Sequence, residues 1–273
     1  MSERMDRSGP IRNAWNRAAP LYRKGLGIQL EPVAKHLSGL LAPHLLAPVL
    51  DLACGPGTVL SLLCGAGDSL GIGCDFSLEM VRIARFRVGG ALGVVADQDR
   101  LPFANRSFQT VASSMGTIFS SDPEAQAPEI ARILNPGGYY GFSAWGRPEE
   151  CALRAVSETV IREWPYPYEG QIPSLESPYS SGRTDWLESV SSQAGFGIDR
   201  VETGELVFRF PDRDEAVRAL LGTGRFALLL ESAPGREREL FERARASFGL
   251  HTDRTTGLVE LSNRYHVFVL RKG

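Results

Sequence analysis

Between Pro48 and Trp145 short apolar runs alternate with amphipathic stretches. PVLDLA precedes TVLSLLC, SLGIGCD precedes SLEMVRIARFRV, ALGVVAD follows, SFQTVASS precedes PEAQAPEIARIL, and YYGFSAW closes the series. The short runs, bounded by Gly, Asp or Ser, read as buried strands, and the longer stretches carry the i, i+3, i+4 spacing of helices. Strand–helix alternation of this kind predicts a largely parallel sheet covered on both faces.

The flanks read differently. Up to Pro48 the chain is expected to be helical, with WNRAAPLY kinked or broken at Pro20 and IQLEPVAKHLSGLL in helical spacing. After Trp145 the rhythm predicts a helix around Glu149–Trp164, then the loop-rich WPYPYEGQIPSLESPYSSGR, then a helix near Thr184–Ala194. A strand over Ile198–Phe210, helical stretches over Arg213–Leu230 and Arg236–Phe248, and a last strand in RYHVFVLRK follow. Helices placed late, outside the alternating core, are suited to a lid or a substrate lobe.

Composition narrows the partners. Hydrophobic residues make up 43% and charged residues 23% of 273, with a net charge of −2. That is an ordinary globular balance, without the basic excess that marks a nucleic-acid binder. MSERMDRSGP has no apolar core of a signal peptide, and the apolar runs are too short for a membrane span, so a cytoplasmic protein is expected. Cys54, Cys64, Cys74 and Cys151 fit no zinc spacing and read as reduced, buried thiols. No acidic cluster has metal-ligand spacing, and no metal is expected.

Candidate chemistry begins at VLDLACGPGT, residues 49–58. A strand runs into a turn in which Gly55 and Gly57 allow close approach of backbone to a ligand, and the start of the next helix suits an anionic group. A tight turn with no ligand would read the same. A dinucleotide fingerprint is incomplete, since Leu60 stands at the third glycine position, and no G-K-[ST] makes a phosphate loop. Asp75, ending the next strand in GIGCDFS, can accept from a ribose diol, or it or Ser77 can cap the following helix. Asp97, in VVADQDRLPF, can accept from an exocyclic amine or form an Asx turn. Three acids near successive strand ends describe an adenosine-shaped ligand.

These stretches, with EIARILNPGGYY, resemble the class I S-adenosylmethionine-dependent methyltransferases. The likeness is to the small-molecule branch that includes ubiquinone and menaquinone biosynthesis C-methyltransferases, over about residues 45–145. It implies a three-layer Rossmann-like α/β sheet, mostly parallel with an antiparallel last strand, plus helical lid insertions. It implies a division into an N-terminal helical lid (1–44), a cofactor-binding core (45–145) and remaining core strands with substrate-binding helices (146–273), all one continuous catalytic domain. Asp51 and the backbone of Ala53, Cys54, Gly55 and Gly57 would hold the methionine end of S-adenosylmethionine. Asp75 would bind the ribose, with Phe76 and Met80 beside adenine or ribose. Asp97 would accept from the adenine amine with the Gln98 backbone alongside, Ser113 would face the cofactor, and Tyr22 would close over the methionine end. Two positions depart from the family: Ala53 stands where glycine is usual, and Gln109 where aspartate is usual.

No dedicated catalytic motif is present. His36 and His251 are the candidates for a general base, whereas His266 reads as structural. Tyr139 and Tyr140 read as the start of a core strand. The strand end VASSMGTIF, residues 111–119, lacks the Asn/Asp-Pro-Pro-Tyr signature of enzymes that methylate planar amino nitrogens. A small, fairly apolar acceptor such as a quinone or polyketide, methylated at carbon or oxygen, is expected; the aromatic segment Trp164–Tyr179 with the late helices reads equally as a wall of an apolar pocket or as a packed surface loop, and a homodimer is compatible with the sequence. A cyclase that retains the cofactor without methyl transfer, and a nicotinamide-dependent oxidoreductase, are the alternatives.

Overall fold

The computed structural model describes residues 8–65, 70–89, 91–166 and 191–273. The chain divides into two compact units. The sheet unit comprises Leu30–Glu150, Leu175–Leu206 and Arg264–Gly273, and the helical unit Met1–Gln29, Cys151–Ser174 and Val207–Asn263. The expected loop Trp164–Tyr179 and the helix near Thr184–Ala194 fall mostly outside the described residues, apart from 164–166 and a helical end at 191–193.

Among the described residues the sheet has seven strands: β1 (Val49–Leu52), β2 (Gly71–Asp75), β3 (Leu92–Val95), β4 (Phe108–Ser114), β5 (Leu134–Trp145), β6 (Phe196–Phe210) and β7 (Val259–Lys272). Their order is β3-β2-β1-β4-β5-β7-β6. The pairs among β1 to β5 are parallel, and β7 is antiparallel to β5, with Tyr139 opposite Arg271 and Trp145 opposite Tyr265. The central strand β1 is buried at every position, as a parallel strand covered on both faces should be.

In the sheet unit α3 (Glu31–Leu41), α4 (Thr58–Cys64) and α5 (Leu78–Arg87) cover one face. Glycines set how closely they lie: a Cβ on Gly141 would meet Leu41 of α3 at 2.7 Å, and one on Gly93 would meet Val81 of α5 at 2.5 Å. The opposite face carries α6 (Pro123–Ile133). Neighbouring residues of β7 show the two sides: Arg271 lies over the Tyr139 ring, on which His44 stacks, while Lys272 Nζ donates to the carbonyls of Ala131 and Leu134.

The helical unit holds α1 (Ser8–Lys24), α2 (Leu26–Gln29), α7 (Ala152–Glu163), α8 (Arg213–Leu221), α9 (Gly224–Ser232) and α10 (Glu237–Ser247). Pro20 lies inside α1 without ending it, so of the expected kink or break the break does not occur. Ala14 and Ala18 of that helix are buried against Ala227 and Leu228, and this packing outweighs the proline's local cost. The stretch Arg213–Leu230 is two helices, not one. It breaks at Gly222, where a Cβ would stand 3.0 Å from backbone atoms of Leu21 and Tyr22, so the chain must turn to let α1 pass.

Candidate functional site

At the carboxyl end of β1 the backbone enters the left-handed region three times in five residues: Ala53 (φ 51°), Gly55 (φ 49°) and Gly57 (φ 76°). The two glycines serve different ends. A Cβ on Gly57 would lie 2.8 Å from Ala84 Cβ and 2.9 Å from Ala84 Cα, so this glycine lets the turn pack on α5. A Cβ on Gly55 would meet nothing within 4 Å among the described residues, so this glycine borders space that they leave open. Ala53 holds a conformation that costs an L-residue about 1–2 kcal/mol. Its methyl lies where Gly116 leaves room, since a Cβ on Gly116 would sit 2.5 Å from it.

Two buried carboxylates organise this turn. Asp51 is 1% exposed, and its Oδ2 accepts from the Leu60 N–H at 2.9 Å. Leu60 is the third residue of α4, whose N-cap, Gly57, has no side chain, so the strand acid supplies the missing cap. Burial pushes the Asp51 carboxyl up to about 8; the Leu60 N–H opposes this and the Asp75 charge adds to it. Asp75 Oδ2 accepts from Gly55 N at 2.9 Å and Oδ1 from Ser77 N at 2.8 Å. Burial pushes this carboxyl up to about 6, against the pull of the same two N–H groups. The cap of α5 is Ser77, whose Oγ accepts from Met80 N, so Asp75 instead ties the glycine turn to the start of that helix. No basic side chain among the described residues contributes to either shift. The two acids therefore offer acceptor oxygens with lone pairs to spare and gain from an approaching cation or hydroxyl.

The other predicted residues divide. Asp97 is exposed, and its Oδ1 accepts from Asp99 N at 3.0 Å, as in an Asx turn. Gln98 carries a signal that sequence reasoning missed. Its Nε2 donates to the Gly116 carbonyl at 3.3 Å, while its Oε1 is buried with no partner among the described residues. No spacing rule marks such an orphaned acceptor; only the fold shows it. Ser113 is fully buried and its Oγ accepts from Thr117 N, while Thr117 Oγ1 bonds the Tyr140 hydroxyl at 2.8 Å. Met80 is buried and Phe76 half-buried. Burial pushes the Cys74 thiol up to about 12 and the Cys54 thiol well above its usual range, so neither is a nucleophile. Tyr22 belongs to the helical unit, edge-on to Trp15 at 5.4 Å.

The candidate bases are placed as follows. His36 has both ring nitrogens engaged, by the Tyr265 hydroxyl at 3.1 Å and by Glu202 at 2.9 Å. His251 lies in the helical unit on a short turn, and burial holds its imidazole below the usual range. His266 bonds Thr203 Oγ1 at 2.8 Å, in keeping with a structural role. Among the described residues no group of three or more His, Cys, Asp or Glu could hold a metal, and no helix is long and apolar enough to cross a membrane.

Residues 49–138 match a family model described as a methyltransferase domain. The demethylmenaquinone methyltransferase of Corynebacterium kroppenstedtii is 40% identical over 116 residues, 42% of this chain and 48% of that protein. That of Paenarthrobacter aurescens is 33% identical over 177 residues, 64% of this chain and 61% of that protein. The chain thus spans about half the length of the first of these relatives. The crystal structure of a candidate methyltransferase from Bacillus halodurans C-125 superposes with a TM-score of 0.58 at 20% identity, covering 86% of this chain and 98% of that one. The matched residues include both buried acids and the whole glycine turn.

Proposed function

The chain belongs to the class I S-adenosylmethionine-dependent methyltransferases and is related to the demethylmenaquinone methyltransferases, and from that premise we propose that it methylates a carbon or oxygen of a small, fairly apolar acceptor of the quinone or polyketide kind. The observation that carries the reading is the open space at Gly55 beside the acceptor oxygens of Asp51 and Asp75. A ligand with an ammonium group and a vicinal diol suits that arrangement, and S-adenosylmethionine has both.

S-adenosylmethionine supplies a sulfonium methyl that a nucleophile takes by in-line displacement. The protein's own residues bind and align. Asp51 would receive the ammonium and, in doing so, give up the proton that burial favours. Asp75 would accept from the ribose hydroxyls with the lone pairs its two backbone bonds leave free. The orphaned Gln98 Oε1 is an acceptor suited to the adenine amine, with Asp97 Oδ2 as its neighbour in sequence. Alignment of two reactants alone can remove roughly 7–11 kcal/mol of barrier, so a dedicated base is needed only for an unactivated acceptor. With both nitrogens of His36 engaged, a base role there would require one of those bonds to open.

The test is thermal. Saturating S-adenosylhomocysteine at about 100 times its dissociation constant contributes roughly 2.7 kcal/mol, a rise of about 5–10 °C for a chain of this size. A rise with NADH and none with S-adenosylhomocysteine would refute the reading. Product mass then separates the alternatives, because methyl transfer adds a CH₂ and a cyclisation adds nothing.

A further inference from the structure

The helical unit contains a cation whose surroundings suit it badly. Arg225 is 8% exposed, and its Nε and Nη1 are buried with no partner among the described residues. Those two nitrogens carry three of the guanidinium's five N–H donors. Arg225 lies in the first turn of α9, the positive end of that helix, where a cation is disfavoured. The N-cap of the helix does not help: the Thr223 hydroxyl donates backwards to the Leu220 carbonyl instead of accepting from the first turn. Glu158 attracts Arg225 from a distance, more strongly than the second buried arginine, Arg154 of α7 (5% exposed), repels it, but its Oε1 is paired with Arg154 Nε at 2.7 Å. Among the described residues, the charges that act on Arg225 are this one partly exposed carboxylate and Arg154, so two cations share one anion. A charge buried this way, with most of its donors unpaired, is strongly destabilising unless an anion completes it.

We propose that Arg225 and Arg154, with the N-terminus of α9, bind the oxyanion of a small organic acid: a carboxylate or an ionised hydroxyl on an apolar body. The apolar body is indicated by the apolar residues beside the two arginines on their own helices, Val156 and Val160 on α7 and Phe226 and Leu229 on α9, whereas Leu228 is taken up in the packing against α1. Identifying this ligand with the methyl acceptor rests on the methyltransferase reading; the anion site itself does not.

Calorimetric titration of the full-length protein tests the site. The ligands are 2-naphthoate, its neutral counterpart 2-naphthalenemethanol, and inorganic phosphate. Naphthoate should bind at least tenfold more tightly than either of the others. Arg225→Met should lose that affinity at least tenfold yet melt no lower than wild type, since it removes an unpaired buried charge, and Arg225→Lys should keep part of the affinity. If Arg225→Met melts well below wild type and naphthoate affinity is unchanged, Arg225 is a structural cation and the proposal fails. Phosphate binding as tightly as naphthoate would replace the organic acid with an inorganic ion, and no binding by either anion would overturn the site. The S-adenosylhomocysteine melting shift is measured on the same samples. Naphthoate binding without that shift sinks the methyltransferase reading and leaves the site, and the shift without naphthoate binding does the reverse.

Discussion

Asp51→Asn should make the free protein more stable and its cofactor complex weaker. Asparagine keeps an oxygen for the Leu60 N–H, so the cap of α4 survives. What it removes is a carboxyl raised from 3.8 to about 8 by burial. One pKa unit is worth about 1.4 kcal/mol, so the full penalty is on the order of 5 kcal/mol. The sign follows from linkage. Below pH 4 the group is protonated in both folded and unfolded chains and the penalty is absent. As pH rises above 3.8 the unfolded chain sheds the proton that the folded one retains, and stability falls until pH passes about 8. Asp51→Asn should therefore melt at least about 5 °C above wild type at pH 8.5, with the gap closing towards pH 4. Binding should move the other way. Loss of a charge-assisted bond to the ammonium costs roughly 1.5–3 kcal/mol, or about 10–100-fold in affinity for S-adenosylhomocysteine. Wild-type affinity should also climb with pH through about 8, as the carboxyl gives up its proton, and this slope should flatten in the variant. Melting curves across pH and calorimetric titration read both effects. A variant less stable at pH 8.5, or one with wild-type affinity, would refute the reasoning.

The remaining expectations concern the same turn and its surroundings. Asp75→Asn cannot accept from Gly55 N and Ser77 N at once, so it should lose about 1–3 kcal/mol of stability by urea titration and about tenfold or more in cofactor affinity; unchanged affinity by calorimetry would remove its ribose role. Ala53→Gly should raise stability by about 1 kcal/mol, since it relieves a left-handed alanine; a lower urea midpoint would count against strain there. Gly57→Ala should cost about 1–3 kcal/mol or more, from the positive φ and the contact with Ala84; near-wild-type stability would show that the turn yields. If the N-terminal helices close over bound cofactor, amide exchange should slow across about residues 11–30 on its addition, and unchanged exchange would argue against a lid.

The sheet was legible because buried parallel strands leave continuous apolar runs and their turns need glycine. Where the sequence misled, a distant contact decided. The stretch Arg213–Leu230 reads as one helix, and the passage of α1 against Gly222 explains the break. Tyr139 and Tyr140 read as the start of a strand, yet β5 begins at Leu134 and NPGG is a bulge within it: Leu134 pairs with Phe108, and pairing resumes at Tyr139 with Thr110. The acids at strand ends were visible as candidates, but spacing could not say that Ser77 would take the cap and free Asp75 to tie two segments. Arg225 gave no signal at all, because an arginine in a helix reads as surface until its burial is known.

The strand order also sets a timetable for synthesis. β7, the seventh of these strands in chain order, fills an interior place between β5 and β6. Trp145 and its partner Tyr265 are 120 positions apart, which at ordinary translation rates is a wait of roughly 6–24 s. Throughout that interval the edge of β5, with Phe142 and Ala144 on it, has no neighbour on that side, and an unpaired apolar edge invites pairing with another chain. A nascent chain stalled before residue 259 would hold every residue of the glycine turn and still present an open sheet, so chaperone dependence should be greatest for exactly those fragments that already carry the complete cofactor motif.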